Sequence, residues 1–172
     1  MTDSINVDKI KVIILHLAGK IDKLHVTKLL KLFYYIDFIS YAETKDSSVT
    51  NDIYYKLPYG PVPSFIKSEI DNLEEPVMED EVKSQFSDII RLEDSEDKYG
   101  RVVISKKKKY DLEKLSQYEK NLIDEVIKKL GKKTAGFLTR KTHTEKPYLL
   151  TSNNSIIDYE LAYELGGRKA LS

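Results

Sequence analysis

The sequence predicts a mostly helical single domain spanning residues 1–172, an α+β fold dominated by helix with one small β-hairpin. Three observations carry that expectation. Apolar residues recur at helical spacing in most of the chain. One pair of β-branched runs flanks a single acidic turn. The 172 residues, 41% hydrophobic and 33% charged, suit one globular domain, since a domain takes roughly 150 residues.

The elements follow in order. Val7 to Ala18 carries Val7, Ile10, Ile13, Ile14, Leu17 and Ala18 on one helical face, with Asn6 as its cap and Gly19 as its stop. Thr27 opens a longer helix through about Ala42. Its Leu29, Leu30, Leu32, Phe33, Ile36, Phe38 and Ile39 cover more than one face, which predicts a central, buried helix. Asp52 to Leu57 reads as a short extended piece. Pro58-Tyr59-Gly60-Pro61-Val62-Pro63 excludes regular helix and central strand and reads as a rigid turn. A helix follows from Pro63 or Ser64 through Leu73, in a neighbourhood that Pro76 ends. Ile89 to Leu92 and Arg101 to Ile104 form the hairpin. Ser116 and Glu119 make a capping box for a helix through Leu130, closed by Gly131. Thr134 caps another through about Lys141. Ser155 caps the last, Ile156 to Leu165, which Gly166 and Gly167 end.

Charge is balanced overall, 28 basic against 28 acidic residues, which argues against a protein that works by bulk charge. Its distribution is uneven. Glu69 to Asp97 holds 12 acidic and 2 basic residues, whereas Lys98 to Lys146 holds 15 basic and 6 acidic. Either the two blocks attract each other within the fold, or the acidic one docks a basic partner. Only Arg91, Arg101, Arg140 and Arg168 supply the bidentate fork suited to base edges. Nucleic-acid binding through Lys106–Lys109 and Lys128–Lys133 is therefore the rival reading, not the leading one.

The absence of cysteine removes disulfides, thiolate nucleophiles, zinc ribbons and iron–sulfur ligation. The first twenty residues lack the pattern of a signal peptide, and no run of 18 uncharged apolar residues exists. A cytoplasmic location without membrane contact is expected. His-x-Glu at His143 and Glu145 resembles the zinc deaminase signature without its cysteines. No metal or cofactor is expected, nor a phosphate-cradling glycine loop, a nucleophile elbow or catalysis. His16 reads as a packed core residue, and His25 as the maker of a local hydrogen bond. The 12 tyrosines, against no tryptophan, either fill the core or form an interface.

Three segments carry further information. Thr27 to Phe38 holds Lys28, Lys31, Tyr35 and Asp37 inside the apolar helix. Leu57 to Pro63 holds Tyr59, Gly60, Pro61, Val62 and Pro63. Phe137 to Tyr148 holds His143, Glu145, Pro147 and Tyr148. In this order the chain resembles the SocA-like, or Panacea, antitoxin domain over about residues 7 to 165. That family shows a Lys-Leu-x-Lys-Leu-x-Tyr-x-x-Asp helix, a Tyr-Gly-Pro-Val-Pro turn and a Leu-Ser/Thr-x-x-x-His-x-Glu-x-Pro-Trp segment. Tyr148 stands where the family usually carries Trp.

Physically, the two prolines and Gly60 give a turn whose shape is set before any partner arrives, or one that only aims the following helix. Asp37 in an apolar helix must be hydrogen-bonded, and the expectation is a bond near the Pro58–Pro63 turn or to His143 that organises the fold. The resemblance implies a non-catalytic antitoxin of bacterial or phage origin. Its partner would be a cognate protein toxin encoded by a neighbouring gene, and several such toxins are relatives of alarmone synthetases. It also admits an adaptor role, delivering the toxin to the ClpXP protease. Transcriptional autoregulation is not expected, because no extra helix-turn-helix segment is present.

Overall fold

The structure, a computed structural model, describes residues 4–45, 47–74 and 83–172. Helix α1 (Val7–Lys20) precedes α2 (Val26–Thr44). A hairpin of β1 (Tyr54–Leu57) and β2 (Gly60–Pro63) leads into α3 (Ser64–Glu74). A second hairpin, β3 (Ile90–Glu93) and β4 (Val102–Ser105), precedes α4 (Gln117–Leu130), α5 (Ala135–His143) and α6 (Lys146–Leu149). The fold is helix-dominated α+β, as the sequence predicts, with two hairpins where one is expected, because Gly60–Pro63 pairs with β1.

Helix α2 is the axis of the core. Every residue from Lys28 to Ser40 is buried, and β2, α4, α5 and the C-terminal turns pack around it. A helix apolar on all sides is stable only when enclosed in this way. Burial also divides the tyrosines: Tyr34, Tyr35 and Tyr54 are fully buried, whereas Tyr59 and Tyr163 are exposed.

Several boundaries differ from expectation for local reasons. Gly19 does not stop α1, which runs on to Lys20 with Ile21 as its cap. Thr27 is not the cap of α2; His25 holds that position without a side-chain bond, because its ring is turned to Asp97 at 2.9 Å. That bond spans 72 residues and so is not local. His16 is buried as expected, between the Tyr110 hydroxyl at 3.0 Å and Asp124 at 2.9 Å. The caps at Asn6, Ser116 and Thr134 are those the sequence predicts. Ser155 caps nothing. Ile156 pairs with Tyr55 of β1, and Asp158 caps a tighter 3-10 turn over Tyr159–Leu165 that Gly166 ends in the left-handed conformation.

The proline-rich segment is a turn only at Pro58 and Tyr59. Gly60–Pro63 pairs antiparallel with β1, Leu57 opposite Gly60 and Tyr55 opposite Val62. A two-residue turn makes the first of these the closing hydrogen-bonded pair, and the second follows two residues on. Pro61 and Pro63 therefore fall where an N–H would point away from β1, so neither removes a ladder bond.

The charge blocks meet within the molecule at Lys107 with Asp88 (3.4 Å), Arg101 with Asp94 (3.1 Å) and Arg101 with Glu74 (3.8 Å). Pro76 and the middle of the acidic block, residues 75–82, lie outside the described residues.

Candidate functional site

The hairpin is fixed to α2 by a buried lysine. Lys31 is 1% exposed and donates to the Pro61 carbonyl at 3.0 Å. Gly60 makes the approach possible. Its φ is +110°, and a Cβ there would lie 2.8 Å from Lys31 Cε and Nζ and 2.9 Å from Thr142 Oγ1. Burial lowers the Lys31 amine from its ordinary 10.5 to about 7. The folded chain thus sheds this proton more easily than the unfolded one. The contribution to stability is present above the unfolded value and is lost as pH falls through about 7. Wild type is expected to gain stability from pH 7 to pH 10 relative to Lys31→Met, which denaturant titration at each pH checks.

The end of α5 and the start of α6 clasp the other side of the hairpin. The His143 ring faces two acceptors, the Thr139 carbonyl and, at 2.9 Å, the Pro58 carbonyl of the turn. Both bonds are donated together only by the imidazolium. The Tyr148 ring lies against His143, centroids 4.3 Å apart and planes tilted by 49°, and its hydroxyl donates to the Leu57 carbonyl at 2.9 Å. Pro147 is buried in the first turn of α6. Glu145 caps that turn and accepts from the Tyr35 hydroxyl of α2 at 2.9 Å. Burial raises the Glu145 carboxyl and also the Tyr35 phenol, the latter with help from the neighbouring carboxylate. Tyr35→Phe leaves a buried carboxylate short of its donor and is expected to cost about 1–3 kcal/mol in equilibrium unfolding.

Asp37 and Lys28 are not part of this clasp. Asp37, fully buried, accepts from the Val49 and Thr50 amides at 2.9 Å, the Thr50 hydroxyl at 2.6 Å and the Tyr54 hydroxyl at 2.7 Å. No hydrogen bond joins it to His143 or to residues 58–63; it reaches the neighbourhood of that segment through Tyr54, which pairs with Pro63. Lys28 donates to the Gly131 carbonyl between α4 and α5.

Three residues that the sequence reading passed over complete the arrangement. Thr142, fully buried, closes over Gly60. Tyr54 links Asp37 to β1. Asp52 accepts from the Phe65 amide at 2.8 Å and the Ile66 amide at 2.9 Å, and so caps α3 from outside the helix. This remote cap satisfies amides of the first turn of α3, which begins directly at the end of β2.

Everything behind the hairpin is tied down, and its tip is open. Tyr59 is 76% exposed, and Leu149, Leu150, Ile53 and Ile156 also reach solvent. These residues come from the turn, the end of α6, the position before β1 and the segment that bridges to β1. Among the described residues no cluster of three metal-ligating side chains occurs, and no helix is long and apolar enough to cross a membrane.

The family model described as the SocA-like antitoxin, Panacea domain, matches residues 29–148. The chain belongs to this family. No curated protein and no solved structure matches it. The Panacea match runs from α2 to Tyr148 and so contains the whole clasp. In this Panacea domain Lys31, Tyr35, Gly60, Pro61, His143, Glu145 and Tyr148, all drawn from the three segments, are joined by contacts rather than spread over separate surfaces. Val62 and Pro63 are buried within the same hairpin.

Proposed function

We propose that this chain is a non-catalytic antitoxin. It binds one protein toxin, the product of a neighbouring gene, and covers the toxin's working surface. The observation that carries this reading is the family match over residues 29–148. The geometry supports it: a hairpin held by Lys31, His143 and Tyr148 presents Tyr59 in a set position, which lowers the entropy lost on binding. An exposed tyrosine on a rigid frame is the residue type that anchors protein interfaces.

The test is growth of a bacterial host expressing the adjacent reading frame with and without this chain. Growth arrest by the neighbour and rescue by the chain are expected, with the toxin still present on an immunoblot. A harmless neighbour, or arrest without rescue, contradicts the antitoxin reading. Rescue with toxin that disappears only when ClpXP is intact supports delivery to a protease instead. Tyr59→Ala is expected to weaken rescue while leaving stability within about 0.5 kcal/mol, as read by thermal melting.

A further inference from the structure

The hairpin sheet has a third, partial strand. The Lys56 amide donates to the Ser155 carbonyl at 2.9 Å, and the Ile157 amide donates to the Tyr54 carbonyl at 2.8 Å. These bonds flank the pair Tyr55–Ile156, so the main-chain N–H and C=O of both residues point away from each other. Tyr55 turns its pair toward Val62 of β2. Ile156 turns its pair outward, where no described residue bonds to either group. An open sheet edge of this kind is a template for another strand.

The side chains beside that edge are apolar and exposed, Ile156 at 53% and Ile53 at 48%. Next to them is a cavity of about 490 Å³ bounded by Tyr41, Ile53, Tyr54, Ile156, Asp158 and Tyr159. This is within the roughly 300–1,000 Å³ that binding clefts occupy. Asp158 is the charged residue in its wall, and no lysine or arginine lines it. Glu160 stands close by, its carboxylate on the Tyr41 hydroxyl at 2.7 Å.

We infer that this groove receives an extended segment of the toxin, one that adds to the sheet at Ile156, buries apolar side chains against Ile53 and Ile156, and brings a basic residue to Asp158. This assignment rests on the antitoxin reading above. Main-chain pairing supplies the affinity, while the cavity and the carboxylates select the side chains. The carboxylates repel an acidic segment and favour a basic one.

The probe is the purified product of the adjacent reading frame. The double variant Ile53→Asp/Ile156→Asp changes two exposed side chains, and Asp158→Asn removes the charge while keeping a cap for the following turn. The double variant is expected to bind at least tenfold more weakly. Asp158→Asn is expected to bind a few-fold more weakly, with a shallower dependence on salt. Hydrogen exchange on the wild-type pair covers the case in which the double variant does not fold: segment 153–158 is expected to gain protection in the complex. Wild-type affinity in a folded double variant, or unchanged exchange at 153–158 in a complex that does form, overturns the groove assignment and leaves the antitoxin reading standing. Failure of the wild-type chain to bind the probe overturns both. A dimer of this chain that the double variant abolishes makes a second copy the occupant and overturns the assignment to a toxin.

Discussion

Gly60→Ala is expected to destabilise the fold by about 3 kcal/mol, a large effect for the addition of one methyl group. Two costs combine. A non-glycine residue forced into a sparsely populated backbone region loses on the order of 1–3 kcal/mol, and φ at Gly60 is +110°. The new Cβ also lies under 3 Å from Lys31 and Thr142, so Lys31 must leave the Pro61 carbonyl or the strand must move outward. The loss is read in a denaturant titration, and a weakened rescue of growth is expected with it, because the frame behind Tyr59 shifts. A stability loss under about 0.5 kcal/mol would show that the Lys31–Gly60 contact does not hold the hairpin.

Asp37→Ala is expected to cost about 4 kcal/mol, since it strands four donors that the core has already taken out of water. Asp37→Asn is expected to stay within about 1 kcal/mol of wild type. The amide retains the oxygen that accepts both backbone N–H groups, and the Thr50 and Tyr54 hydroxyls can rotate to accept from its nitrogen. The pH dependence separates the two roles of the carboxyl. Burial raises Asp37 from 3.8 to about 6 in spite of its donors. The folded chain therefore keeps a proton that the unfolded chain has lost. Its contribution is fully present below pH 4 and is lost as pH rises through about 6. Asp37→Asn is expected to remove this slope. Lys31 acts in the opposite sense above pH 7, so these two groups together place a stability minimum near neutral pH.

What the sequence makes legible is whatever is local. The caps at Ser116 and Thr134 and the apolar enclosure of α2 follow from residues within a few positions of one another. The second hairpin is signalled by β-branched runs on either side of an acidic turn. The pairing of Gly60–Pro63 is harder to see, because proline argues against strand and the exception depends on which face each ring occupies. The partners of Asp37 are equally hidden. They are two amides and two hydroxyls from an unremarkable loop and strand, and no pattern sets Thr50 or Tyr54 apart beforehand. The motif residues themselves are visible in sequence as a resemblance. That Lys31, Gly60 and Thr142 meet at one point, while Lys28 and Asp37 serve other joints, emerges only from the packing. The exposed edge at Ile156 is masked in sequence by a segment that reads as the start of a helix.

The most direct test mixes this chain with the purified product of the adjacent reading frame, with no protease and no ATP-dependent partner present. The two are expected to co-elute on size exclusion, and the toxin's activity in a purified assay is expected to fall as this chain is titrated in. Toxin activity that stays unchanged at saturating chain, or that falls only after ClpXP and ATP are added, would contradict neutralisation by direct binding.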